Sequence, residues 1–209
     1  MSEADGVADL PDVLDEEPTI RERIFAAALE CFTQNGVRRT SMEDIAHQAG
    51  VSRPTIYYYF ENKRALTVEA VLRQQAASHR RQSEQLAGHR GLDAVVESVL
   101  LGVELARSDP FSTLLTRPEN ERLTADALRS PAARELQEAF WGPLLADARR
   151  RNELRTDVGD EDIISWILFI QFALVTNGNL FGVTDRKSTR RVLESFLTPA
   201  LRAGIHTAS

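Results

Sequence analysis

The stretch Thr40-Ser41-Met42-Glu43-Asp44-Ile45-Ala46-His47-Gln48-Ala49-Gly50-Val51-Ser52-Arg53-Pro54-Thr55-Ile56-Tyr57-Tyr58-Tyr59-Phe60 decides how this chain is read. Two short helices that cross steeply need a small residue at the crossing, which Ala46 supplies. The tight turn between them needs a residue that tolerates positive φ, which Gly50 supplies. Ile45, Ala49, Val51, Ile56 and Tyr59 fall on the side that faces a preceding helix. Ser52 is placed to cap the second helix, and Pro54 sits in its first turn, where backbone donors have no helical partner. The outward side carries Arg53, Thr55, Tyr57 and Tyr58, donors and aromatics of a size to reach base edges or phosphates from a major groove. Ala-x-x-x-Gly alone marks any helical corner. The matched spacing across the whole stretch, its polar outer face and the local positive charge point beyond that to DNA.

Upstream, Thr19-Ile20-Arg21-Glu22 has capping-box spacing, followed by Ile20, Ile24, Ala28, Cys31 and Phe32 at helical intervals and Gly36 at a C-terminal cap position. This predicts a first helix over 19–35. Downstream the helical patterns continue over 42–49, 53–59, 62–87, 91–107, 110–115, 118–128, 131–151, 160–181 and 186–203. Gly50, Gly88, Gly91, Pro110, Pro118, Pro131 and Gly159 separate them. No period-2 strand pair and no internal repeat appears. The fold class expected is all-α: a three-helix DNA-binding domain at 18–62, with its helix-turn-helix, and a larger helical ligand-binding and dimerisation domain at 63–209. Pro143 inside 131–151 is expected to kink that helix, and Pro199 to disturb the last one. Ile163–Val175 is apolar on nearly every face, interrupted only by Ser165 and Gln171, so it has to be covered on all sides.

Charge is unevenly distributed over the 209 residues, whose net value is −6. Residues 1–17 hold seven acids and no base, residues 18–90 hold 11 bases against seven acids, and residues 91–209 hold 14 against 17. The first 17 residues are expected to be a disordered acidic tail, masking a mildly basic module suited to a polyanion. The single cysteine, Cys31, excludes an intramolecular disulfide, and no run of 18 uninterrupted apolar residues marks a membrane span. The acidic N-terminus does not read as a signal peptide. A cytoplasmic protein is expected.

Phe32, Gly36-Val37-Arg38-Arg39-Thr40-Ser41, Asp44-Ile45-Ala46, Ala49-Gly50-Val51-Ser52, Thr55-Ile56-Tyr57 and the Tyr59-Phe60…Lys63…Leu66 close make residues 19–66 resemble the DNA-binding domain of the TetR family of bacterial transcriptional regulators. The remaining three quarters of the chain match only in helical layout. The resemblance implies that Ser41 touches phosphate, that Arg53, Pro54 and Tyr58 face base edges, that Thr55 and Tyr57 hold the backbone, and that Lys63 contacts a phosphate. Tyr59 departs from the His that many members carry, and packing is its plainer role. Repression of neighbouring genes is likewise what the resemblance implies.

Two rival readings are an enzyme and a helical interaction module without DNA. His47, His79, His89 and His206 show no metal-ligand spacing, and no phosphate loop, nucleophile elbow or Cys–His pairing occurs. No catalytic residue, metal or cofactor is therefore expected. His79 and His89 read as solvated, and Cys31 as a small core residue. The expected partners are double-stranded operator DNA, a second copy of the chain and a small effector, with no membrane. Dimerisation is assigned to the apolar 160–181 helix and to the seam of Val192, Leu193, Phe196, Leu197 and Leu201. An apolar or amphipathic effector is expected among Leu101, Leu105, Phe111, Leu114, Leu115, Trp141, Leu145, Trp166, Phe169, Ile170 and Phe172, with Asn177 as polar anchor. Coupling to DNA would run through the helix over 62–87.

Overall fold

The computed structural model describes residues 18–203; the acidic tail expected at 1–17 lies outside them. About 78% of the described residues are helical, and among them there is no strand, only an isolated bridge between Leu154 and Arg202. The helices are α1 (Ile20–Asn35), α2 (Met42–Gln48), α3 (Arg53–Tyr59), α4 (Lys63–Gln85), α5 (Gly91–Ser108), α6 (Pro110–Leu115), α7 (Glu121–Leu128), α8 (Pro131–Arg150), α9 (Asp160–Asn177), α10 (Arg186–Val192) and α11 (Thr198–Leu201).

Local chemistry sets most of the boundaries. The Thr19 side chain accepts from Glu22 N while the Glu22 carboxylate accepts from Thr19 N, and Asp44 returns the same service to Ser41 at the start of α2. Pro143 sits inside α8 without ending it. Ahead of Pro199 the chain widens into a π turn over Leu193–Leu197. A proline ring cannot sit over the carbonyl four residues back in a regular helix, and the wider turn relieves that clash.

Two apolar cores form. Ile24, Ala28 and Phe32 of α1, Ile45 of α2, Ile56 of α3 and Leu66 and Ala70 of α4 build the first. Phe111, Leu114 and Leu115 of α6 and Ala127 of α7 close it from the other side, with Phe111 stacked 6.3 Å from Phe32. The core beneath the three-helix unit therefore continues past residue 62 and is shared with α6 and α7. The second core holds Val95, Val99 and Leu100 of α5, Trp141 and Leu145 of α8, Ile163 and Ile167 of α9, and Leu193, Leu197 and Leu201.

Arg107 ties the far end together. Its guanidinium donates to the carbonyls of Leu174 at 2.8 Å and Val183 at 2.7 Å and reaches Thr189 Oγ1, satisfying the end of α9. The chain approaches so closely here that a Cβ on Gly178 would stand 2.6 Å from the Val183 carbonyl oxygen. Nearby, Glu97 of α5 is buried between Arg186 and Arg190 of α10.

Asp160–Phe181 spans 22 residues and contains an 18-residue window of mean hydropathy 1.5, long and apolar enough on those two measures to cross a bilayer. In the fold Ile163, Ile164, Ile167 and Leu174 face the second core, Trp166 lies outside, and Phe169 and Phe172 are partly exposed at the mouth of the cavity described below.

Candidate nucleic-acid interface and interior cavity

Gly50 takes φ +65°, and Val51 N donates to Ala46 O at 3.0 Å, so the turn between α2 and α3 closes on the small residue at the crossing. Ser52 caps α3: its Oγ accepts from Thr55 N at 3.2 Å and lies 2.7 Å from Thr55 Oγ1. Ile56 and Phe60 are buried, which turns Arg53, Pro54, Tyr57 and Tyr58 outward. Tyr58, 84% exposed, is the most prominent, and its ring meets Tyr59 edge-on at 5.2 Å. Tyr59 itself is half-buried against the first core, and Thr55 is half-buried beside the cap. Arg53 lies 5.8 Å over the Tyr57 ring and pairs with Glu43 at 3.1 Å, both side chains largely in solvent. Ser41 accepts from Asp44 N at 3.1 Å at the head of α2. The hydrogen bonds of the Asp44 carboxylate to the Ser41 backbone and side chain hold its pKa low.

Lys63 does something other than what the resemblance implies. Its ammonium donates to Thr40 O at 2.7 Å, Val37 O at 2.9 Å and Arg38 O at 3.3 Å. Three protons meet three carbonyls, so none is left to point at a phosphate. Burial pushes its pKa down, partly offset by Asp44. Lys63 fixes the 37–40 approach to α2 in this arrangement.

The second feature is a cavity of about 510 Å³, partly open to solvent, bordered by α4, α5, α6, α7, α8 and α9. Of the expected lining, Leu105, Leu115, Phe169 and Phe172 meet there. Phe111 and Leu114 belong to the first core, and Trp141 and Leu145 are packed solidly in the second. Leu101 is buried and Ile170 packs against the second core, neither on the cavity wall. Trp166 points outward, stacked on Phe169 at 5.5 Å, and Asn177 is exposed at the end of α9, its amide bound to Thr176 Oγ1. Asn177 is thus no anchor, because α9 has turned it past the cavity.

The polar side of the cavity is instead α4, through Gln74, Gln75, Ser78, His79 and Gln82, facing Leu168, Phe169, Phe172 and Val175 of α9. His79, expected in solvent, lies flat on Phe140 with ring centroids 4.1 Å apart, and burial pushes its pKa down to about 4. This uncharged polar face lies on a helix that carries charges elsewhere. The signal that finds it is the phase of the buried Leu66, Thr67, Ala70 and Val71, which at helical spacing carries on to Gln74, Gln75, Ser78 and Gln82. His89 pairs with Asp93 at 2.6 Å on the outside.

Residues 24–70 match the family model described as bacterial regulatory proteins, tetR family. The chain is 32% identical over 100 residues to the "Uncharacterized HTH-type transcriptional regulator TtgW" of Pseudomonas putida, covering 48% of this chain and 75% of that one. It is 33% identical over 99 residues to the "Probable acrEF/envCD operon repressor" of Escherichia coli, 46% of this chain and 45% of that one. The crystal structure of the transcriptional regulator FadR from Bacillus subtilis in complex with stearoyl-CoA superposes with a TM-score of 0.59 at 19% identity. That match spans 88% of this chain and 98% of the other, and it speaks for the fold.

Proposed function

Because the chain belongs to the TetR family and is a DNA-binding transcriptional regulator, we propose that it is a homodimeric repressor released from its operator when a small molecule occupies the cavity walled by α4. The observation that carries this reading is that one helix serves both ends. α4 begins with Lys63, which clamps the approach to α2, and continues as the polar wall of the cavity. A ligand that fits one placement of α4 better than another shifts the population toward it and moves the DNA-reading helices.

In this reading 18–62 is the DNA-binding unit and 63–209 the effector and dimerisation unit. Ser41 meets phosphate, Arg53, Pro54 and Tyr58 meet base edges, and Thr55 and Tyr57 hold the backbone. The outward placement of Arg53, Pro54, Tyr57 and Tyr58 supports those assignments. The dimer is favoured by Trp166, Phe169 and Phe172 on α9 and by Phe196, large apolar groups exposed on the single chain. Two-fold pairing sets two recognition helices in successive major grooves about 34–36 Å apart. The protein acts in the cytoplasm, where its operator is, with no membrane, catalytic step, metal or cofactor in its task. A FadR neighbour holding stearoyl-CoA supports an effector role for the helical region without naming the effector here.

The test is a mobility shift on the gene's own upstream region, run with the full chain and repeated with each compound that raises its melting temperature. Retarded DNA set free by such compounds is the expected result. DNA that is never retarded, or that every stabilising compound leaves bound, overturns the reading.

A further inference from the structure

Three buried polar atoms on residues that line the cavity have no hydrogen-bond partner among the described residues: Gln75 Oε1, His79 Nδ1 and Gln82 Oε1. All belong to α4, four and then three residues apart, so they form a row on one helix face. At 1.5 Å per residue the row runs about 10 Å. Gln82 is 3% exposed, and its amide is already committed at the other end, Nε2 donating to Ser78 Oγ at 3.1 Å. Its Oε1 is left as a buried acceptor without a donor. The His79 ring is held by its stack on Phe140. Burial keeps it uncharged at neutral pH, so Nδ1 accepts whenever the proton sits on Nε2.

Across from the row stand Leu168, Phe169, Phe172 and Val175, with Ser165 and Gln171 of the same helix, and Leu105 and Leu115 continue the apolar part of that wall. Among the described residues the one charged side chain on the cavity is Arg81, which is exposed. A ligand carrying a net charge into this space would find no counter-charge behind the rim, and an unpaired charge is costly to bury. A donor-free ligand would leave the acceptor row buried and bare.

We propose, resting on the effector reading above, that the cavity takes an uncharged molecule, apolar along one side and carrying hydroxyl donors along the other, which Gln75, His79 and Gln82 receive. A phenol or alcohol with two hydroxyls about 10 Å apart spans the row from end to end.

The experiment uses matched sets on the full-length protein: 4,4′-dihydroxybiphenyl, stilbene-4,4′-diol and estradiol, each with its dimethyl ether, together with biphenyl-4,4′-dicarboxylate and a saturated fatty acid. Binding is read by calorimetric titration and by release of retarded DNA. At least one diol is expected to bind about tenfold or more tightly than its ether, since a site built for hydroxyls rejects analogues that lack them. Gln82→Leu should shrink that gap to within about threefold while leaving ether affinity in place. Gln75→Leu provides a second variant at a less buried position. Ethers that bind as well as diols, or a dicarboxylate or fatty acid that binds tighter than any diol, overturn the donor assignment and leave the effector reading standing. If no compound of any class binds or frees DNA, the effector reading falls, and this proposal with it.

Discussion

Every proton of the Lys63 ammonium ends on a carbonyl of the 37–40 segment, so Lys63→Met removes three hydrogen bonds and leaves three acceptors bare. The expected cost is about 2–3 kcal/mol of unfolding free energy. DNA affinity should fall on every sequence alike, while the slope of log affinity against log salt stays as in the wild type, because no phosphate contact is lost. Titrations at several salt concentrations check this, and a slope reduced by about one per half-site would restore the phosphate role. Arg53→Ala is expected to behave oppositely. Its pairing with Glu43 is solvent-exposed and weak enough to give way to a base. The variant should lose about 1–3 kcal/mol on the cognate operator and relax preference at one position, read by competition among single-base variants. His79 is pulled from an ordinary 6.5 down to about 4. Between those values the unfolded chain binds a proton that the folded chain refuses, so stability declines as pH falls through that window. From pH 7 to pH 5 the loss should be about 2 kcal/mol, and His79→Phe should remove it in urea titrations at the two pH values.

Where an element's shape comes from neighbours in sequence, it was open to reading. The Thr19–Glu22 and Ser41–Asp44 boxes, the Gly50 turn and the Ser52 cap each obey a rule spanning four or five residues. The face of α4 that lines the cavity was open only through the phase of Leu66, Ala70 and Val71 ahead of it, because nothing in Gln75, Ser78, His79 or Gln82 says that α9 will pass opposite. Asn177 failed for the same reason: its position depends on where α9 ends, and Arg107, seventy residues away, decides that. Glu97 is the sharpest instance. It looks like one more surface acid on a helix, yet α10 brings Arg186 and Arg190 onto it from about ninety residues downstream. Glu97→Gln leaves two guanidiniums around a neutral amide, and breaking a buried pair from one side costs about 3–5 kcal/mol. Because both arginines are partly in water, the lower end is expected, measured as a shift of the denaturant midpoint with an unchanged slope.

At the scale of the molecule, Trp166 and Phe196 are exposed apolar groups that the fold of one chain does not use. The double variant Trp166→Glu/Phe196→Glu is expected to sediment as a monomer at micromolar concentration. It should melt within a few degrees of the wild-type chain and lose most operator affinity, since a single recognition helix is left to bind alone. A double variant that stays dimeric would move the interface elsewhere. Leu115 belongs to the core under α1 and also to the cavity wall. A change selected there for a new effector is simultaneously a change in the footing of the DNA-reading helices, so sensing and reading cannot drift apart one mutation at a time. Chimaeras designed to lend this reading head to another sensor inherit the constraint. Cut at residue 62, they leave Phe32 and its neighbours without the aromatic and aliphatic cover of α6, and a transplant that works has to carry α4 and α6 along.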